Sequence, residues 1–287
     1  MIAEYKCSYD NITSASAQIA KENGLRFPDV YMHADSMVTL AKAIKGHEKA
    51  KICEMPFCHT VEAEAMGADI NLGDENAGPR ARAYLTTDIE DILSLPGIDF
   101  SRGRIHEVLM ACNMLEEQGE HVVLEIAGPF IMMNGLIDIK YMVKCMRKDK
   151  DLALKVLERL GDEAVRYAEE AVKYGVKMIS YADSTCSVEI LGQERMAWIT
   201  NEFTCRLVKR LKAVTEGKAL LMLCPKTTFA LIGTENAELK DRMLSKEMTY
   251  PEGCIESIGR LAAVGQVCVK KRDFRLAGGK IKEVVLL

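Results

Sequence analysis

Three stretches of this 287-residue chain share one pattern: apolar positions at helical spacing, then a glycine, then a short apolar run. In the first, Val108, Leu109, Cys112 and Leu115 lie on one helical face, Gly119 stops the helix, and residues 121–126 read as a strand. In the second, Asp149 or Asp151 caps a long helix whose apolar stripe runs from Leu152 to Val172. Gly175 follows it, and residues 177–182 form the strand. The third buries Trp198, Ile199, Phe203, Leu207, Val208 and Leu211, stops near Gly217 and leads into a strand at 219–224. A further apolar run at 261–268 closes the series. Upstream, residues 50–55 and 69–72 read as strands on either side of a helix at 61–66, with Gly67 between.

Alternating helices and strands predict an α/β chain with a parallel sheet, here a (β/α)8 TIM-type barrel. Residues 1–48 read as an N-terminal appendage of two helices, 14–23 and 35–44, split by a turn at Phe27-Pro28-Asp29. Only 61 residues follow Lys226, and a full βα unit takes roughly 30. Either the units between the strands ending at Cys224 and Cys268 are therefore abbreviated or the barrel is incomplete. No linker, repeat boundary or low-complexity segment divides the chain, so residues 1–287 are read as one domain.

Charge narrows the function classes. With 38 basic and 42 acidic residues, net −4, the chain offers no electrostatic footprint for nucleic acid or an anionic membrane. No apolar stretch approaches the roughly 18 residues of a membrane span, and the first six residues turn polar too soon for a signal peptide, which predicts a cytoplasmic protein. Ten cysteines spread through a large domain, in settings such as Cys112, Cys145 and Cys205, read mostly as reduced core thiols.

Two of the ten stand apart. Cys224 and Cys268 each end an apolar run, and parallel strands open their C-terminal ends onto one face, where loops bring distant residues together. Two thiols meeting there suggest zinc, which prefers thiolate and imidazole ligands and keeps an open position when catalytic. The alternative is two buried core thiols, since no Cys-x-x-Cys or His-Glu-x-x-His motif is present. Asp183 is the first candidate for a third ligand and for a catalytic carboxylate, with Glu189, Glu194 and His59 behind it. It reads equally well as an acceptor for helix or loop amides. Lys226 is placed to neutralise an anionic substrate group or to sit solvated at the rim. His59, Glu125 and Met222 are candidate pocket residues, and the pair Met132-Met133 can fill an adaptable pocket or the core. The polar segment 73–80 lacks the glycine pattern of a nucleotide loop.

The stretch Pro56-Phe-Cys-His-Thr-Val-Glu-Ala-Glu-Ala-Met-Gly67-Ala-Asp, the strand end Ala182-Asp183-Ser-Thr185, and Leu223-Cys224-Pro-Lys-Thr227 together resemble the uroporphyrinogen decarboxylase superfamily. Within it they look most like the corrinoid-linked methyltransferases, and the likeness runs over roughly residues 27–276. The resemblance implies a zinc ion at the C-terminal mouth of the barrel, held by a His-x-Cys pair and a distant cysteine. Cys224 matches the first cysteine and Cys268 the second, while Met222 stands where the histidine would be. It also implies a methyl group moved between a small methylated substrate or thiol and the cobalt of a corrinoid carried by a partner protein. No Asp-x-His-x-x-Gly sequence for cobalamin binding occurs in the chain. Decarboxylation of a porphyrinogen is the alternative activity, but the arginine-rich N-terminal segment that would clamp its carboxylates is missing, with only Arg26 before Arg80. A non-catalytic subunit that docks a corrinoid protein is the third reading.

Overall fold

The structure, a computed structural model, describes residues 1–7 and 13–287. The chain opens with the two expected helices, α1 (Thr13–Glu22) and α2 (Ala34–His47). β1 (Cys53–Met55) and α3 (Val61–Ala65) follow, then two short strands, β2 (Ile70–Asn71) and β3 (Arg80–Ala81). The next unit is α4 (Gly103–Glu117) and β4 (Val122–Ala127), succeeded by α5 (Pro129–Leu136), α6 (Ile139–Lys148) and α7 (Lys150–Lys173). Of the two caps the sequence offers for α7, Asp149 is the one used: its Oδ1 accepts the Leu152 N–H at 2.9 Å. β5 (Met178–Ala182) leads to α8 (Val188–Leu191), α9 (Gln193–Ile199), a π-helical turn at Thr200–Thr204 and α10 (Cys205–Thr215). The chain finishes with β6 (Leu220–Leu223), α11 (Pro225–Gly233), β7 (Ala237–Met243), α12 (Tyr250–Ser257), β8 (Ala263–Val264) and β9 (Lys280–Leu286).

The main sheet has the order β1-β4-β5-β6-β8-β9-β7. Its first five strands are parallel, while β9 runs antiparallel to both β8 and β7. This is an α/β architecture with a parallel sheet. Among the described residues the strands do not close into an eight-unit ring, because the sheet keeps two edges, β1 and β7, as the incomplete-barrel alternative has it. Two expectations need correcting. The expected strand at 69–72 contributes only β2, which pairs with β3 in a separate antiparallel ladder. The run at 261–268 contributes two ladder residues, not eight, and Cys268 sits in the loop beyond. Gly265 explains the early exit: a Cβ there would lie 2.2 Å from Thr228 Oγ1 and 3.0 Å from Leu223 Cβ. The backbone can therefore fold down over the end of β6 only with glycine at this position. The units between β6 and β8 are abbreviated as well, since β6 pairs directly with β8 through Leu221 and Ala263.

Strand side chains alternate between two faces. Cys53, Leu124, Ile126, Ile179, Tyr181, Leu221, Leu223 and Ala263 belong to the large core shared with the helices. Ile52, Val123, Met178, Leu220, Met222 and Val264 turn the other way, into a second core shared with Tyr250 and Cys254 of α12, Ile281 of β9, and Val267 and Val269. The C-terminal segment thus covers the inner face of the sheet. Where the strands leave the ring open, ion pairs span the gap: Arg272 Nε lies 2.9 Å from Glu54 Oε1 on β1, its guanidinium also pairs with Glu48, and Lys51 Nζ lies 3.7 Å from Glu252 Oε1.

Candidate active site at the inner rim

The alternation that buries Val123, Met178 and Leu220 on the inner face sends Glu54, Glu125 and Ser180 to the same side. Strand register sets Glu125 beside Ser180, Ser180 beside Met222, and Met222 beside Val264. Cys224, two residues past Met222, leaves β6 at this rim and occupies the position just before α11, with Pro225 as the first helical residue. The Lys226 backbone N–H is directed at the Cys224 sulfur, yet burial dominates and pushes this thiol up to about 12. Burial likewise raises the Cys268 thiol above its ordinary value. The two sulfurs lie close enough for the charge of Cys268 to act on Cys224, and the carboxylate acting on both is Glu125. Cys224 stands just before α11 and Cys268 in the loop beyond β8, both on this side of the sheet.

Glu125 is the centre of a polar group around them. Its Oε1 lies 3.1 Å from His59 Nδ1 and 3.7 Å from Lys270 Nζ. Surrounding protein holds His59 below its ordinary pKa, even with the Glu125 carboxylate opposing that shift, although its side chain keeps 42% exposure at the mouth. Desolvation acts to lower Lys270, but Glu125 and Glu54 outweigh it and leave the ammonium above its usual value. Burial lifts Glu54 to about 7, partly offset by Lys270. The mouth therefore holds one carboxyl, Glu54, that exchanges its proton near neutrality, the condition for general acid–base work.

Asp183 is placed differently. It is buried at the end of β5, with Oδ1 3.1 Å from the Ile131 N–H and Oδ2 3.4 Å from the Phe130 N–H, both in the first turn of α5. Gly128 admits it, since a Cβ there would stand 2.4 Å from Asp183 Cβ. Of the two roles weighed for Asp183, this geometry is that of the amide acceptor. Burial raises its carboxyl to about 7 against the opposing effect of those N–H groups. Lys226 donates from Nζ to the Ser184 carbonyl at 3.1 Å and lines a small cavity with Tyr5, Ser187 and Glu189. Met222 is buried in the inner core, 2% exposed, so its thioether packs where the resemblance would put an imidazole.

Cys224 and Cys268 supply two thiols, a donor type that zinc prefers. Among the described residues, no group of three or more His, Cys, Asp or Glu side chains could hold a metal ion. Two residues at this site escaped the sequence reading, Glu54 and Tyr5, while Lys270 belongs to the polar strand end at 268–271. Glu54 was accessible, because it is the one charged residue in the run 52–55 and shares strand parity with Ile52. Tyr5 lies in a segment without periodicity and carries no such signal.

Comparisons with known proteins bear on this geometry. The uroporphyrinogen decarboxylase (URO-D) profile matches residues 13–245, a span that includes Cys224 and stops short of Cys268 and Lys270. The methylcobamide:CoM methyltransferase MtaA of Methanosarcina barkeri is 26% identical over 217 residues, which is 75% of this chain and 63% of that protein. MtbA of Methanosarcina acetivorans, also a methylcobamide:CoM methyltransferase, is 26% identical over 224 residues, covering 76% of this chain and 65% of its own length. The solved structure of a methyltransferase from Methanosarcina mazei shares the fold, with a TM-score of 0.64 at 22% identity over 76% of this chain and 64% of that one. The chain spans less than two thirds of the length of these relatives. Among the described residues no helix is long and apolar enough to cross a membrane.

Proposed function

Because the chain belongs to the uroporphyrinogen decarboxylase family, we propose that it is a methyltransferase moving a methyl group between a small methylated substrate or thiol and the cobalt of a corrinoid on a partner protein. The observation that supports this reading is that Cys224 and Cys268 stand at the same inner rim, with burial raising both thiols. Cys224 and Cys268 would hold a zinc ion, which when bound supplies the positive charge that keeps a substrate thiol or heteroatom anionic. The names of the relatives, which act on methylcobamide and CoM, support the same class of reaction.

The chain's own residues divide the remaining work. Glu125 fixes the His59 ring through Nδ1, so that the imidazole can take the proton an incoming thiol sheds. Lys270 balances the carboxylates of Glu125 and Glu54 and keeps negative charge from accumulating beside the thiolates. Met222, Val264 and the C-terminal segment exclude water from below the site. Lys226, tied to Ser184, stands where an anionic tail of a small substrate would enter. Asp183 holds the β5 and α5 ends in place and acts as support, not as a ligand.

The test uses zinc-loaded protein, methylcobalamin as the corrinoid probe and coenzyme M as the thiol, with the cobalt absorption followed in time. Loss of the methyl–cobalt spectrum is expected with the unaltered protein, and Cys224→Ala should slow it at least about 100-fold. An unaltered spectrum with zinc-loaded protein would refute the reading, and turnover of a porphyrinogen without any corrinoid would replace it with decarboxylation.

A further inference from the structure

Glu125 fixes the His59 ring from β4, and the backbone that carries the ring is fixed from another element. Arg104, in the first turn of α4, is buried and spreads its guanidinium over three acceptors. Nη1 donates to Cys58 Sγ at 3.2 Å, Nη2 donates to Thr60 Oγ1 at 2.8 Å, and Nε pairs with Glu64 on α3. Cys58 Sγ and Thr60 Oγ1 also meet each other at 3.4 Å. Both chain neighbours of His59 are thus turned to one guanidinium, while the imidazole between them places Nδ1 3.1 Å from Glu125 Oε1.

Packing alone does not account for an arginine here. A buried cation carries a desolvation penalty, and the first turn of a helix is the positive end of the backbone dipole, which disfavours it further. An apolar residue would fill the same space without either penalty. What the guanidinium adds is a planar fork that holds two acceptors at fixed angles, where an ammonium is a single point of charge. The loop has use for such a hold. Thr60 precedes α3 without capping it through its side chain, and the His59 side chain keeps 42% exposure, so packing leaves the ring room to turn.

We infer that Arg104 is the positioning residue of His59, its fork setting the 58–60 backbone so that Nδ1–H is delivered to Glu125 and Nε2 is left as the proton acceptor. The inference rests on the reading of His59 as the group that takes the proton of an incoming thiol. In that step the S–H bond breaks, its electron pair stays on sulfur, and the Nε2 lone pair binds the proton, giving an imidazolium that Glu125 faces. Which ring nitrogen carries the proton of the neutral form is set by the partner of the other. A solvated histidine favours Nε2–H, so release of the hold moves the proton.

Ring-nitrogen NMR of protein labelled with nitrogen-15 histidine reads the tautomer at about pH 8, where the ring is neutral. His59→Gln identifies the His59 signals among the five histidines. Arg104→Lys puts one ammonium in place of the fork and should convert most of the Nδ1–H form to Nε2–H. Thr60→Val removes one acceptor of the fork without altering any charge, and should shift the tautomer in the same direction to a smaller extent. In methyl transfer from methylcobalamin to coenzyme M by zinc-loaded protein, Arg104→Lys should lower kcat about 10- to 100-fold and leave KM for the thiol unchanged. Persistence of the Nδ1–H form in both variants, or in Thr60→Val alone should Arg104→Lys fail to fold, would overturn the role of Arg104 while leaving His59 as the base. A shifted tautomer with unaltered kcat would remove His59 as the proton acceptor, and this inference with it.

Discussion

Asp183 and Cys224 occupy the same kind of position, one at the end of β5 and the other just past β6, on neighbouring parallel strands. Their surroundings differ. Asp183 turns inward to α5, where two backbone N–H groups take both of its oxygens. Cys224 turns to the inner rim, where burial keeps its thiol protonated and the charges of Cys268 and Glu125 act on it. Strand-end placement brings a residue to the functional face, but the partners already bound to it decide whether any capacity remains for chemistry.

Substitutions at the two positions should therefore fail in opposite ways. Cys224→Ser is expected to abolish tight zinc binding while leaving the urea unfolding midpoint nearly unchanged, checked by metal content and circular dichroism. Asp183→Ala should retain zinc and lose stability, about 1–3 kcal/mol for each buried N–H left without an acceptor, measured by urea unfolding. Equal losses of stability in the two variants would erase the distinction.

The same contrast has a pH signature. The Asp183 carboxyl titrates at about 7 in the folded chain against an ordinary 3.8, so between those values the folded state binds more protons than the unfolded one. Its contribution to stability must then fall as pH rises across that window and level off above it. Asp183→Asn removes this component, so the stability of the unaltered protein relative to the variant should decline from pH 4 to pH 7. A flat difference would show that Asp183 is not the buried acid described here.

A smaller effect is expected at Glu125. Its carboxylate supports the protonated forms of His59 and Lys270, so Glu125→Gln should move the His59 midpoint further down in an NMR titration. An upward move would contradict the pairing.

The parts of this molecule legible in its sequence are those where neighbouring residues carry the signal. The strands β4, β5 and β6 are nearly unbroken apolar runs because both of their faces are covered, and the α7 stripe and its Asp149 cap are local features. β7 and β9 were missed because Ala237–Met243 carries few apolar positions and the apolar residues of Lys280–Leu286 follow no strict alternation. Cross-strand pairs such as Arg242 with Glu283 and Lys282 with Asp241 hold them together, and those partners lie 41 residues apart. The barrel type was legible because each strand end resembles a barrel unit, whereas the early exit of the run at 261–268 goes with a close approach at Gly265, where a Cβ would lie 2.2 Å from Thr228 Oγ1, that spacing does not reveal. At the site, Cys224, Cys268, His59 and Glu125 were readable as polar or thiol residues at strand ends. Tyr5 meets groups more than 200 residues away and belongs to no periodic element.

Zinc-edge X-ray absorption on protein purified without chelators examines the central claim most directly. The account predicts one zinc per chain with a first shell dominated by sulfur at about 2.3 Å, and loss of that shell when Cys224 and Cys268 are both replaced by serine. A shell of nitrogen and oxygen alone, or a sulfur shell that survives the double replacement, would contradict it.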